Sequence, residues 1–150
     1  MAPPRPRLDY GRIAPGALRA MLGLERYLRD ERFDRRLLHL IKLRASQING
    51  CVHCIELHTR EAVRDGEDPR RLFQLSAWEE SPLFDARERA ALRWTESLTR
   101  LDVDRVPDAV YRAIRRHFSP KELLDLTLAI VAINGWNRLA VGFRIPPAPR

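Results

Sequence analysis

Leu37-Leu38-His39-Leu40-Ile41-Lys42-Leu43-Arg44-Ala45-Ser46-Gln47-Ile48-Asn49-Gly50-Cys51-Val52-His53-Cys54-Ile55-Glu56-Leu57-His58 is the stretch from which the rest of the chain is read. Leu37, Ile41, Ala45 and Ile48 recur at three- and four-residue steps, an apolar stripe of helical period. The spacing predicts a helix over roughly 34–48. Asn49-Gly50 ends it, because both residues tolerate the left-handed conformation found just past a helix end. A second helix restarts at Cys51 or Val52 and runs to about 65–66. On that helix Cys51, Cys54 and His58 form a single stripe, while His53 points away from it.

The same signals continue in both directions. Upstream, a helix is expected over about 15–29; downstream, a short one from Pro69 to about 75, then a connection through Ser81-Pro82. Asp85 with Glu88 three residues later has a capping-box pattern and opens a helix to about 101, expected to bury Ala91, Trp94, Leu98 and Leu101. Pro107 suits the first turn of another helix, ending near His117. Ser119-Pro120-Lys121-Glu122 is a strong start signal for the last and longest helix, to about Phe143. Leu123, Leu124, Leu126, Leu128, Ile130, Val131 and Ile133 cover most of its circumference, which predicts a place at the bundle centre or partly in a subunit interface. No segment alternates with strand period over a useful length, and there is no internal repeat. The expectation is one all-α helical bundle over 1–150, with proline-rich, flexible ends at 1–7 and 146–150.

With 150 residues the chain can build a real core, and 45% apolar with 31% charged residues is an ordinary globular composition. A net charge of +7 and a sequence pI near 10.4 invite a nucleic-acid reading. The distribution argues against it: arginines are spread singly or as Arg35-Arg36, Arg70-Arg71 and Arg115-Arg116, with no long run of one sign. No nucleic-acid partner is expected. The N-terminus lacks the apolar stretch of about 7–15 residues that a signal peptide needs. The longest apolar run, 123–133, carries Asp125 and falls short of the roughly 20 residues that span a bilayer. A cytoplasmic protein with no membrane partner is expected. In that reducing compartment two cysteines three residues apart point to redox chemistry or metal binding, not to a structural staple.

The stripe itself suggests the chemistry. At a helix N-terminus the free N–H groups and the macrodipole favour a thiolate at Cys51. His58, one turn past Cys54, is placed to take its proton, the usual arrangement for activating a thiol. A second cysteine allows the oxidised sulfur to be resolved into a disulfide. No cofactor is required. Two alternatives stand beside this. His39, Cys51, Cys54 and His58 could supply two nitrogens and two sulfurs to a tetrahedral zinc. Alternatively, the cysteines are small buried hydrophobes and His58 a surface residue.

Leu43-Arg44-Ala45-Ser46-Gln47-Ile48-Asn49-Gly50-Cys51-Val52-His53-Cys54-Ile55-Glu56-Leu57-His58-Thr59 resembles the core motif of the AhpD-like alkylhydroperoxidases of the carboxymuconolactone decarboxylase superfamily. The resemblance extends through Ala77-Trp78-Glu79-Glu80-Ser81-Pro82-Leu83-Phe84, Arg87-Glu88-Arg89-Ala90-Ala91-Leu92 and Leu126-Thr127-Leu128-Ala129-Ile130-Val131-Ala132-Ile133-Asn134-Gly135-Trp136-Asn137-Arg138. It implies an all-helical fold, a homotrimer or homohexamer, and reduction of a hydroperoxide substrate at the expense of an outside thiol or dithiol. Cys54 is then the peroxidatic thiol, Cys51 the resolving one, His58 the activating histidine and His53 a supporting one. The dipole argument alone favours Cys51 as the more acidic thiol, but a proton acceptor one turn from Cys54 should outweigh a dipole contribution of about 0.3–1 kcal/mol. Decarboxylases of the superfamily generally lack the cysteine pair; decarboxylase-like chemistry with incidental cysteines is the remaining alternative.

One position departs from the family. The glutamate that usually stands twelve residues before the first cysteine, relaying protons to the histidine, is His39 here. Glu25, Glu31, Glu56 and Glu61 are available, but none occupies the matching place. His39 is mostly neutral at pH 7, so the expectation is a weakened relay that passes protons without supplying negative charge. Otherwise His39 simply sits on the polar face of its helix, near Arg35 and Lys42.

Overall fold

A computed structural model describes residues 5–147. Its elements are α1 (Tyr10–Ile13), α2 (Pro15–Asp30), α3 (Arg35–Asn49), α4 (Val52–Arg64), α5 (Pro69–Gln74), a 3₁₀ turn (Leu75–Ala77), α6 (Ala86–Thr99), α7 (Leu101–Asp104), α8 (Asp108–Ile114) and α9 (Pro120–Phe143). Among the described residues there is no sheet. The fold is the expected all-α bundle with a long apolar C-terminal helix.

The helix boundaries follow local chemistry. The Asp34 side chain accepts from the N–H groups of Arg36 and Leu37 and opens α3. Gly50 closes it at φ 66°, in the left-handed region, and the Cys51 N–H donates back to the Ser46 carbonyl at 3.0 Å. Full capping boxes start α6, through Asp85 and Glu88, and α9, through Ser119 and Glu122. The short α1, capped by Asp9, was not foreseen.

Helix α3 is the most enclosed element. It packs against α4, α6 and α9, and seven consecutive residues, His39 to Ala45, are buried except for partly buried Arg44. Helix α9 shares the centre: Leu123, Leu126, Ala129, Ile130, Ala132 and Ile133 are buried, while Leu124 and Val131 are exposed. By length and composition α9 could cross a membrane, a property that the run 123–133 alone did not suggest; here it packs against α2, α3 and α6.

Leu101, expected in the core, is 54% exposed. Helix α6 ends at Thr99, and Arg100, at φ −114° and ψ 55°, breaks the helical phase before Leu101. Leu101 therefore leaves the stripe that Ala91, Trp94 and Leu98 continue. Of the ends expected to be flexible, 1–4 and 148–150 lie outside the described residues; within the rest, the Arg7 N–H donates to the Phe143 carbonyl at 2.8 Å, and the Pro146 carbonyl meets His53 Nδ1 at 2.7 Å.

Three apolar clusters form the interior. One joins α2, α3, α6, α8 and α9 around Ile41, Ile114 and Leu126. A second joins α3 to α5, the 3₁₀ turn and α6 around Leu40, Leu75 and Leu92. The third, with Ala45, Cys51, Cys54, Ile133 and Ala140, lies where the end of α3, the start of α4 and α9 meet. That junction positions the cysteines.

Candidate active site

The turn between α3 and α4 determines where the sulfurs go. Gly50 reverses the chain, and Cys51 follows in extended conformation as the N-cap of α4. Its sulfur accepts the Cys54 N–H at 3.3 Å. A polar ladder holds this turn against α9: Asn49 Nδ2 donates to Asn134 Oδ1 at 3.0 Å and to Asn137 Oδ1 at 2.9 Å, Asn137 Nδ2 donates to Ser46 Oγ at 3.0 Å, and Ser46 Oγ donates to the Lys42 carbonyl at 2.7 Å. Ser46 and Asn137 are fully enclosed, so the bonds they make satisfy groups that water cannot reach.

The expected stripe forms. Cys51 is 1%, Cys54 3% and His58 7% exposed, whereas Val52 faces solvent and His53 is half-buried. The two sulfurs are in contact, and their Cα atoms lie 5.4 Å apart, within the span of a disulfide. Cys54 and His58 line one cavity of about 340 Å³ with Glu25, Lys42, Glu61 and Trp136. Cys51 lines a different recess, of about 470 Å³, walled by Ala140, Val141 and the segment from Arg144 to Pro147. His53 borders both.

His58 Nδ1 lies 3.0 Å from Glu61 Oε2, one turn on along α4. The bond to His58, and secondarily the charges of His58, Lys42 and His39, hold the Glu61 carboxyl below its ordinary pKa despite partial burial. As a carboxylate Glu61 can only accept, so Nδ1 donates and Nε2 is left as the ring's acceptor. Burial pushes the His58 pKa down; the Glu61 bond opposes this, Lys42 reinforces it, and the charges of Glu61 and Glu25 oppose it. The balance is a ring that is neutral at pH 7 and able to take a proton.

His39 is buried, and its Nε2 lies 2.8 Å from Asp65 Oδ2, a bond that lowers the Asp65 pKa. It lines an adjoining cavity of about 530 Å³, whose lining includes Glu25, Lys42 and Glu61 as well. The carboxylate that meets His58 is therefore Glu61, which sequence spacing offered only as one of four candidates. Glu25, another of the four, is ion-paired with Lys42, which spacing did not single out, and Trp136 Nε1 donates to the other Glu25 oxygen at 3.0 Å. The zinc alternative fails on geometry. His39 goes to Asp65, His58 to Glu61 and the sulfurs to each other, and among the described residues no cluster of three His, Cys, Asp or Glu could hold a metal.

A helical domain with an enclosed cysteine pair at the start of one helix and a histidine one turn further on has the AhpD-like architecture. The chain belongs to the carboxymuconolactone decarboxylase family, whose model matches residues 15–97. It is 38% identical to the uncharacterized protein YdfG of Bacillus subtilis (strain 168), over 90% of this chain and 92% of that one. The crystal structure of ATU0492, a protein of unknown function from Agrobacterium tumefaciens, superposes with a TM-score of 0.94 at 40% identity, covering 97% of this chain and all of that one. An uncharacterized peroxidase-related protein from Ralstonia eutropha JMP134, an alkylhydroperoxidase AhpD core, shares the fold: TM-score 0.80, 19% identity, 92% of this chain and 74% of that one.

Proposed function

We propose that the protein is a thiol-dependent peroxidase that reduces hydroperoxides through Cys54 and Cys51. The carrying observation is the division of the two sulfurs: Cys54 shares a cavity with the proton acceptor His58, while Cys51 touches Cys54 but faces a separate recess. The description of ATU0492 as a candidate antioxidant-defence protein AhpD agrees with this reading.

In the reduced protein the Cys54 thiol gives its proton to His58 Nε2, and the thiolate attacks one peroxide oxygen. The O–O bond breaks, the alkoxide takes the proton from His58 and leaves as an alcohol, and Cys54 becomes a sulfenic acid. The Cys51 thiol then attacks the Cys54 sulfur, forming the disulfide and expelling water. An outside thiol or dithiol, supplied in a reducing cytoplasm, returns both thiols. His53 supports the site by holding the Pro146 carbonyl beside the Cys51 recess, and His39, bonded to Asp65, acts on the site through its charge on Glu61, with which it shares a cavity.

Mild peroxide should remove both thiols and add no oxygen mass to the intact chain. Cys54→Ser should abolish reaction with hydroperoxide. Cys51→Ser should leave the first oxidation intact and trap Cys54 as a sulfenic acid that a dimedone-type probe labels. Labelling at Cys51 in the Cys54→Ser protein instead would reverse the roles, and thiols that stay unchanged under peroxide would end the redox reading. The family model favours one other reading, decarboxylase-like chemistry, whose mark would be turnover surviving in the Cys51→Ala/Cys54→Ala double variant.

A further inference from the structure

The Cys54 cavity has one permanent cation among its described lining residues, and the mechanism above leaves it unused. Lys42 is 7% exposed, in the middle of the most enclosed helix. Lysine is almost never this buried unless paired, and the pair here is built from three helices: Lys42 on α3, Glu25 on α2, and Trp136 on α9 donating to Glu25. An isolated buried ion pair is weak evidence for stability and is often no better than apolar packing. This one faces the cavity that holds Cys54, His58 and Glu61, and its charge reaches both His58 and Glu61.

The charges around that cavity can be counted. Sharing that cavity with Cys54 are Tyr10 from α1, Glu25 from α2, Lys42 from α3, and His53, His58 and Glu61 from α4; α9 contributes Trp136 and Ala140. With a neutral His58, the two glutamates outnumber the single lysine, so a thiolate would form in a cavity that is already negative. Removing Lys42 would leave two uncompensated carboxylates there. His58 cannot supply a standing positive charge, because its burial disfavours the imidazolium.

We propose that Lys42 is the positioning cation that holds Cys54 as a thiolate in the reduced protein, with Glu25 as the counter-ion that limits how much of that charge reaches the sulfur. This rests on the reading of Cys54 as the attacking thiol. It assigns two functions to two residues. Lys42 supplies charge, and His58 takes the proton and passes it on. Lys42 acts in opposite directions on the two groups, favouring the thiolate and disfavouring the imidazolium, so the proton is readily released to the leaving alkoxide.

The test uses the full chain carrying Cys51→Ser, which keeps a capping oxygen at the start of α4 and leaves Cys54 as the only cysteine. Ionisation of Cys54 is followed by thiolate ultraviolet absorbance and by iodoacetamide alkylation rate against pH. Lys42→Met should raise the Cys54 pKa by about one unit, roughly a tenfold loss of thiolate below it. Lys42→Arg should stay near the parent. Glu25→Gln should move the pKa the opposite way, downward. Should Lys42→Met fail to fold with Glu25 unpaired, the sign of the Glu25→Gln shift decides. A Cys54 pKa unmoved or raised in Glu25→Gln, or unmoved in folded Lys42→Met, overturns the proposal and leaves the pair a packing feature. Because thiol ionisation is read without peroxide, loss of peroxide reactivity with these shifts intact would overturn the peroxidase reading and not the role of Lys42.

Discussion

His58 is held between opposing influences, and their balance has a measurable consequence. Burial lowers its pKa and Glu61 pulls it back up. Its folded value therefore lies below the unfolded value of about 6.5, so acid protonates the unfolded chain first. The stability contributed by the neutral buried ring is complete above about pH 6.5 and is lost as pH falls from there through the folded pKa. Glu61→Gln keeps a bond acceptor but removes the charge, so the His58 pKa should fall further. The range of acid pH over which stability is lost should widen. An NMR titration of the imidazole reads the first effect, and urea unfolding at several pH values reads the second. A His58 pKa that rises in the variant would mean that Glu61 does not act on the ring as the 3.0 Å bond indicates.

At the scale of elements, the turn that joins α3 to α4 does the placing. Gly50 sits at φ 66°, and a Cβ built there would meet nothing within 4 Å. Any cost of a side chain is therefore backbone conformation alone. Gly50→Ala should destabilise by about 1–2 kcal/mol, seen as a lower urea midpoint with an unchanged slope. Gly50→Asn should lose less, because asparagine tolerates the left-handed region. Equal losses for both would show that something other than the backbone angle sets the turn. The polar ladder from Asn49 through Asn137 to Ser46 explains why the turn sits in one place on α9: misplacing it would strand buried amides without partners.

For the molecule as a whole, the surface of α9 is the unfinished part. Leu124 and Val131 are exposed and Leu128 is only partly buried, a stripe of three- and four-residue steps on a helix whose opposite face fills the core. We propose that this stripe is covered by further copies of the chain. Light scattering should return three or six times the 17.4 kDa chain mass, and Leu124→Glu with Val131→Glu should lower it. A single-chain mass at micromolar concentration would count against assembly. The positive charge is engaged in local pairs such as Arg44–Glu96, Arg71–Glu88 and Arg35–Asp65, and the sequence holds no long run of one sign.

Sequence alone determined what depends on neighbours within a helical turn or two. The caps at Asp85 and Ser119, the stop at Gly50, and the shared face of Cys51, Cys54 and His58 all follow from spacing and side-chain chemistry over three or four residues. The phase break at Arg100 was not legible, because it comes from a backbone angle with no glycine or proline to announce it. The partner of His58 was legible only as a set of candidates: Glu61 is three residues away, yet choosing it over Glu25, Glu31 and Glu56 required knowing which carboxylates reach the buried ring. His39 and Asp65, Lys42 and Glu25, Asn49 and Asn137 are brought together from positions 26, 17 and 88 residues apart. Such pairs depend on which helices pack, a choice made by the summed burial of three apolar clusters and not by any local pattern. Tertiary structure therefore decided the charges around the thiol, while the thiol motif itself was already written in the chain.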